Sequence, residues 1–314
     1  MSSAPELHTG LVDGLLREVG LSMIVAKPKS GKSTLLRQLS VAIAEGTDFL
    51  GKPTSCGDVL YLNLEGQIGA VQEHLKKLNY TEQRGAVHVV HEQMPFNGQE
   101  GLNKLVATLG VLPKVKLVVI DPIVKFLRIA DSDKYDQVSL GIETLEQLTR
   151  KFSLHLLYST HGKKRQTDDA GDSPIGSTAF RGGTDTNLYL SKQGTRRVIE
   201  TEQRWGVVME PTWLVFDEET HRLSLGATLE SEESSRNEGK ERKTLERIEQ
   251  EIWNQLCLLK NPGQIQLLNM VTGKKSTKVQ VLNDMINSGK VAAEPDGKFI
   301  RYRAVVPTEQ GVAA

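Results

Sequence analysis

A single stretch near the start of the chain constrains its fold more than any other. The apolar run Leu21-Ser22-Met23-Ile24-Val25 leads into Ala26-Lys27-Pro28-Lys29-Ser30-Gly31-Lys32-Ser33, and Thr34-Leu35-Leu36 follows. A strand, a loop of turn-forming residues and a helix opening on Lys-Ser form the context a phosphate-binding loop requires. Backbone N–H groups of the loop and of the helix N-terminus then surround a β-phosphate. Lys32 is placed to reach the β- and γ-phosphates, and the Ser33 hydroxyl to ligate Mg²⁺. Residues Ala26, Lys27, Pro28, Lys29, Ser30, Gly31, Lys32, Ser33 and Thr34 are therefore the candidate site for ATP. Ala26 stands where the usual pattern has Gly, which requires ordinary backbone angles at that position.

The rest of the first two-thirds of the chain supplies a sheet for such a loop. Asp58–Leu64, Val87–His91, Lys116–Asp121 and Leu154–His161 are apolar almost throughout, as strands covered on both faces are. Between them, Val138, Ile142, Leu145, Leu148 and Phe152 recur at helical spacing. Alternating strands and helices predict an α/β fold with a mostly parallel sheet. After Arg181 the pattern shortens: Thr186–Ser191, Arg196–Arg204, Val207–Met209 and Leu214–Asp217 read as antiparallel hairpins that extend the sheet.

Three strand ends carry chemistry, because the C-terminal ends of parallel strands converge on the ligand. Asp121 ends an apolar strand and is the candidate second holder of Mg²⁺, beside Ser33. Glu65 follows the strand after the phosphate-loop helix and is the candidate base for an attacking water. His161 ends a third strand and is placed to hydrogen-bond a γ-phosphate. Arg181 and Arg204 are the two candidates for stabilising charge on a transferring phosphoryl group, from the next subunit of an oligomer.

These residues together resemble a known group, the RecA-fold AAA-type ATPases related to the plasmid RepA hexameric replicative helicase. The resemblance runs from about Leu11 to Leu225. It rests on Leu11–Leu15, Lys27–Ser33, Tyr61–Glu65, Val119-Ile120-Asp121-Pro122, His161-Gly162-Lys163, Gly176-Ser177-Thr178-Ala179, Gln203-Arg204-Trp205-Gly206 and Phe216–Thr220. It implies a RecA-like P-loop core in which Glu65 activates water, His161 senses the γ-phosphate, and Arg181 or Arg204 acts across a subunit boundary. It also implies a ring or filament, expected to be a hexamer, on DNA. In such rings the loop after His161 faces the channel, which makes Lys163, Lys164 and Arg165 candidates for single-stranded phosphates.

Thr228–Lys243 is rich in Glu, Ser and Lys and almost free of apolar residues, so it is expected to be a charged flexible linker, residues 228–243. It separates an ATPase domain, 1–227, from a small domain, 244–314. In the latter, a turn at Thr272-Gly273, a helix from Lys274 with Val279, Leu282, Met285 and Ile286 on one face, and a hairpin around Asp296-Gly297 resemble a winged helix. Lys274, Lys275 and Lys278 on the helix, with Arg301 and Arg303 on the wing, are the candidate contacts to DNA. Winged helices also dock proteins, and that alternative stays open. The whole chain balances 39 Lys and Arg against 39 Asp and Glu, so a nucleic-acid partner has to be met locally. Between Lys260 and Arg303, eight basic residues face three acidic ones.

Two separated cysteines exclude a cysteine-rich zinc site and fit a reducing compartment. No apolar run approaches a membrane span, and the start of the chain lacks a secretory pattern, so a cytoplasmic protein without a membrane partner is expected. The function this predicts is Mg-ATP hydrolysis by an oligomeric helicase or translocase in DNA replication. The alternative is an ATP-switched DNA-binding regulator or loader, or a recombination-mediator ATPase, without unwinding.

Overall fold

A computed structural model describes residues 10–91, 98–128, 135–163, 173–174, 180 and 182–305. Two compact units divide at Leu229 and Glu230. The first is built on one sheet. In chain order its strands are β1 (Gly20–Ala26), β2 (Asp58–Asn63), β3 (Val87–His91), β4 (Val115–Asp121), β5 (His155–Lys163), β6 (Ser173–Pro174), β7 (Thr186–Gln193), β8 (Arg196–Gln203), β9 (Thr212–Phe216) and β10 (Leu223–Thr228). Across the sheet they lie in the order β10-β9-β8-β7-β1-β5-β4-β2-β3, with β6 paired to β5. From β3 to β7 neighbours run parallel, and from β7 to β10 they run antiparallel.

The two faces of the sheet follow from alternation along each strand. On β1, Ile24 and Ala26 join the core that receives Leu35, Leu36, Leu39 and Ile43 of α1 (Lys32–Glu45). Leu21, Met23 and Val25 join the opposite core, which takes Leu105 and Leu109 of α3 (Gly98–Val111) and Val138, Ile142, Leu145 and Leu148 of α5 (Tyr135–Phe152). Two shorter helices, α2 (Ile68–Lys77) and α4 (Ile123–Phe126), follow β2 and β4. Helices on both faces leave the strand ends as the place where polar groups gather.

Two sequence expectations are corrected. Val207–Met209 is not a strand: these residues continue the turn after Gly206, which has φ +96°, and Val207 is 84% exposed. Residues 228–243 are not an extended linker either. Thr228 ends β10, and Leu229–Leu258 is one 30-residue helix, α6. Its first half lacks an apolar stripe, but Glu, Lys and Arg are good helix formers, and Glu230 and Glu232 suit the positive N-terminal end. Continuity with the apolar stripe of Ile248, Ile252 and Leu256 then extends the helix backward through a fully polar stretch.

That stripe belongs to the second unit. It packs with Leu267 and Leu268 of α7 (Gln264–Asn269), Val281, Leu282 and Met285 of α8 (Lys275–Asn287), and Val291 and Tyr302 of the antiparallel pair β11 (Val291–Asp296) and β12 (Phe299–Ala304). Three helices and a hairpin thus share one small core.

Candidate nucleotide site

The phosphate loop leaves β1 at Ala26 and enters α1 at Lys32. Ala26 ends a strand and is not among the residues of positive φ, so the missing glycine costs nothing there. The tight part of the loop lies further on, at Lys29 (φ +62°) and Gly31 (φ +100°). Gly31 caps α1, and no acidic residue occupies the helix's first turn, so nothing opposes an anion at its N-terminus.

The loop forms one wall of a cleft of about 290 Å³, lined also by Asn63, Glu65, Gly66, Asp121, Ser159 and His161. Strand register explains this gathering. Ala26 lies opposite His161 on β5, and Asn63 opposite Asp121 on β4, so four parallel strands end at the same level. Lys32 Nζ donates to the Ala26 carbonyl at 2.8 Å and lies 3.2 Å from His161 Nδ1. An ammonium can only donate, so His161 presents Nδ1 as an acceptor and carries its proton on Nε2. Burial and then the Lys32 charge hold His161 below its usual range, which keeps it neutral near pH 7. Burial likewise lowers the Lys32 pKa, while the Asp121 and Glu65 carboxylates oppose that effect.

Asp121, 7% exposed, is the most completely held group in the cleft. Its Oδ2 accepts from Ser33 Oγ at 2.8 Å and from Tyr61 OH at 3.0 Å, and its Oδ1 accepts from Ser159 Oγ. Burial, followed by the charge of Asp121, raises the Tyr61 phenol well above its usual pKa, so it stays a donor. Three hydroxyls use three of the roughly four lone-pair sites of a carboxylate. One acceptor site remains, beside the Ser33 hydroxyl. Hard oxygen donors in this arrangement fit a Mg²⁺ that takes its other ligands from phosphates and water. Among the described residues no cluster of three His, Cys, Asp or Glu side chains exists, so a cation here has to arrive with the nucleotide.

Glu65 is exposed at the cleft and has no hydrogen-bond partner among the described residues. The turn that carries it is nevertheless fixed. Asn63 Nδ2 donates to the Gly66 carbonyl at 2.7 Å, and the Gly66 N–H donates back to Asn63 Oδ1 at 3.3 Å. A Cβ at Gly66 would lie 2.8 Å from that Oδ1, so glycine is required by space. A fixed backbone with a free carboxylate is what a base for water needs.

The geometry therefore unites Lys32, Ser33, Asp121, Glu65 and His161. Arg204 is not with them: β8 runs against β7, which places Arg204 at the opposite end of the sheet, with Asp185. There its N–H donates to the Asp185 carbonyl and its guanidinium to the Gly182 carbonyl. A larger cleft of about 710 Å³ opens at that end, lined by Leu15, Asp185, Gln203 and Trp205, and contains none of the phosphate-loop residues. Arg181, Lys164 and Arg165 lie outside the described residues, as does the side chain of Lys163, the last residue of β5.

Residues 2–167, more than half of the chain, match a family model described as an AAA domain. The chain belongs to the AAA domain family. No curated protein matches it. Among solved structures it is similar to the ATPase domain of a helicase, with 14% identity, 66% of this chain and 84% of that chain covered, and a TM-score of 0.50. At that identity the likeness speaks for the fold, a RecA-like AAA core. Family and cleft together support an ATPase that uses a nucleotide with Mg²⁺.

Sequence reading overlooked the hydroxyls of Tyr61 and Ser159, the Asn63 clamp, and Arg197, whose Nε donates to the Ser30 carbonyl at 3.1 Å. Among the basic residues of the second unit, Lys278 departs from its expected role. Its ammonium donates to the carbonyls of Leu268 and Val271, where it closes the C-terminal end of α7 instead of facing a partner. Arg301 pairs with Asp296 and Arg303 with Glu294, both on the hairpin surface. Lys274 and Lys275 are exposed and unpaired among the described residues. No described helix is long and apolar enough to cross a membrane.

Proposed function

We propose that this AAA domain protein hydrolyses Mg-ATP as an oligomer acting on DNA, in the manner of a replicative helicase or translocase. The observation that carries the hydrolytic reading is the meeting of Lys32, Ser33, Asp121, Glu65 and His161 in one cleft. Mg²⁺, held beside Ser33 and Asp121, neutralises phosphate charge when it is bound with the nucleotide. Lys32 releases the Ala26 carbonyl and His161 to meet the β- and γ-phosphates. Glu65 takes a proton from the attacking water as its oxygen bonds to the γ-phosphorus and the bond to the β-phosphate oxygen breaks. His161, neutral, hydrogen-bonds a γ-phosphate oxygen and links its presence to the chain that follows β5.

Arg204 lies at the far end of its own sheet, so it can serve only the cleft of another subunit. That supports shared active sites in a ring, of which a hexamer is the expected size. Arg181 remains the other candidate. The Lys163–Arg165 segment is proposed to follow single-stranded phosphates. The second unit, whose three helices and hairpin suit a winged helix, adds contacts through Lys274 and Lys275. The exposed Lys274-Lys275 pair at the start of α8 also supports a second reading, an ATP-switched regulator that holds duplex without translocating.

The test is ATP turnover with and without single-stranded DNA across a range of protein concentrations. Strong stimulation and a steep rise of specific activity with concentration are expected. A low rate indifferent to single strands would demote the motor in favour of the regulator.

A further inference from the structure

The phosphate loop is supported from a strand that takes no part in the cleft's chemistry. On β8, Arg197 shares a face with Ile199, and Ile199 packs in the core under α1. That alternation delivers Arg197 to the loop at the N-terminus of α1. Its Nε donates to the Ser30 carbonyl at 3.1 Å, and a Cβ added to Gly31 would lie 3.2 Å from the same Nε. It has no other hydrogen bond or ion pair among the described residues. Its neighbour Arg196 does different work, with its guanidinium 3.6 Å from the centre of the Trp213 ring.

Ser30 C=O and Gly31 N–H belong to one peptide unit, and in a planar trans peptide they point in opposite directions. A donor that fixes the carbonyl on one side fixes the N–H on the other. Arg197 is not among the residues lining the cleft, whereas Ser30, Gly31 and Lys32 are. The peptide is thus gripped from behind, and its N–H is turned toward the place where a phosphate sits. We infer that Arg197 is a positioning residue for nucleotide binding, setting the Ser30–Gly31 peptide to donate to the β-phosphate shared by ATP and ADP. This rests on the reading of the cleft as a nucleotide site.

Two substitutions in the full chain separate the bond from the charge. Arg197→Met keeps length and loses the donor. Arg197→Gln is uncharged, but its Nε2 occupies the same place along the side chain as the arginine Nε. Affinity for a fluorescent ADP and, by competition, for ATP is measured, together with KM and kcat. Arg197→Met is expected to weaken both nucleotides alike, about tenfold, from a lost charge-assisted hydrogen bond. KM rises in step, while kcat changes less than threefold, and Arg197→Gln recovers most of the affinity. Wild-type affinity in Arg197→Met, equal losses in the two variants, or a loss confined to ATP would each overturn the inference. Should the wild-type chain bind neither nucleotide, the cleft reading itself fails, and this inference with it.

Discussion

The cleft of the first unit and the basic surface of the second hold their charges in opposite ways. Lys32 and Asp121 are each 7% exposed and tied to neighbours on other strands, so every charge there has a fixed address. Lys274 and Lys275 stand in solvent, and Arg301 and Arg303 share their charge with exposed carboxylates. Buried, preorganised charges act as a unit, and removing one disables the rest. Exposed charges act singly, are screened by salt, and contribute roughly in proportion to their number. The comparison implies that the cleft fails all at once, whereas the surface weakens by steps.

The sharpest way to break that contrast is Lys32→Ala. Loss of a fixed cation at the phosphates is expected to cut turnover by about 10²–10³-fold, read as steady-state phosphate release. A loss below tenfold would place the Lys32 ammonium outside the reacting groups.

A second prediction probes burial at the other end of the sheet. His155 is fully buried, its Nε2 is 3.0 Å from Ser22 Oγ, and desolvation pushes its pKa down to about 4. The unfolded chain, with histidine near pH 6.5, binds the extra proton first as pH falls. Stability contributed by keeping His155 neutral is therefore complete above pH 6.5 and is lost as pH falls from 6.5 toward 4, by about 3 kcal/mol. Denaturant unfolding over that window is expected to show a shallower pH slope for His155→Gln than for the wild type.

The stepwise side of the comparison is tested with Lys274→Ala and Lys275→Ala. Each is expected to lower DNA affinity modestly and to reduce the slope of log affinity against log salt by about 1. Lys278→Ala, by contrast, is expected to lower stability and leave that slope unchanged, because its ammonium is engaged by carbonyls. The smallest effect concerns α6. Gly239 lies inside this helix with nothing within 4 Å of an added Cβ, so Gly239→Ala is expected to stabilise it by up to about 1 kcal/mol. Slower hydrogen exchange along residues 229–258 would register the gain.

Much of this was legible in the sequence, and what was not has definite physical causes. The apolar runs before Lys27, Asn63, Asp121 and His161 announced strands, because a sheet covered on both faces demands continuous hydrophobicity. The phosphate loop, Glu65, Asp121 and His161 were readable as groups placed just after those runs. Tyr61 and Ser159 were not, since their hydrogen bonds to Asp121 span 60 and 38 residues and depend on strand order. Arg197 was hidden for the same reason, 167 residues from Ser30. The first half of α6 was misread because a helix that is polar all round leaves no periodic trace. Lys278 was misread because its sequence neighbours are basic, while its contacts lie on the preceding helix.

Hydrolysis in this cleft turns most directly on Glu65, the free carboxylate on a fixed turn. Glu65→Gln keeps size and hydrogen bonding but cannot take a proton, so ATP affinity and turnover are measured together. The expected result is ATP binding within about threefold of the wild type and turnover lowered by about 10²–10⁴-fold. Turnover equal to the wild type would remove Glu65 as the base and contradict the hydrolytic reading of the cleft.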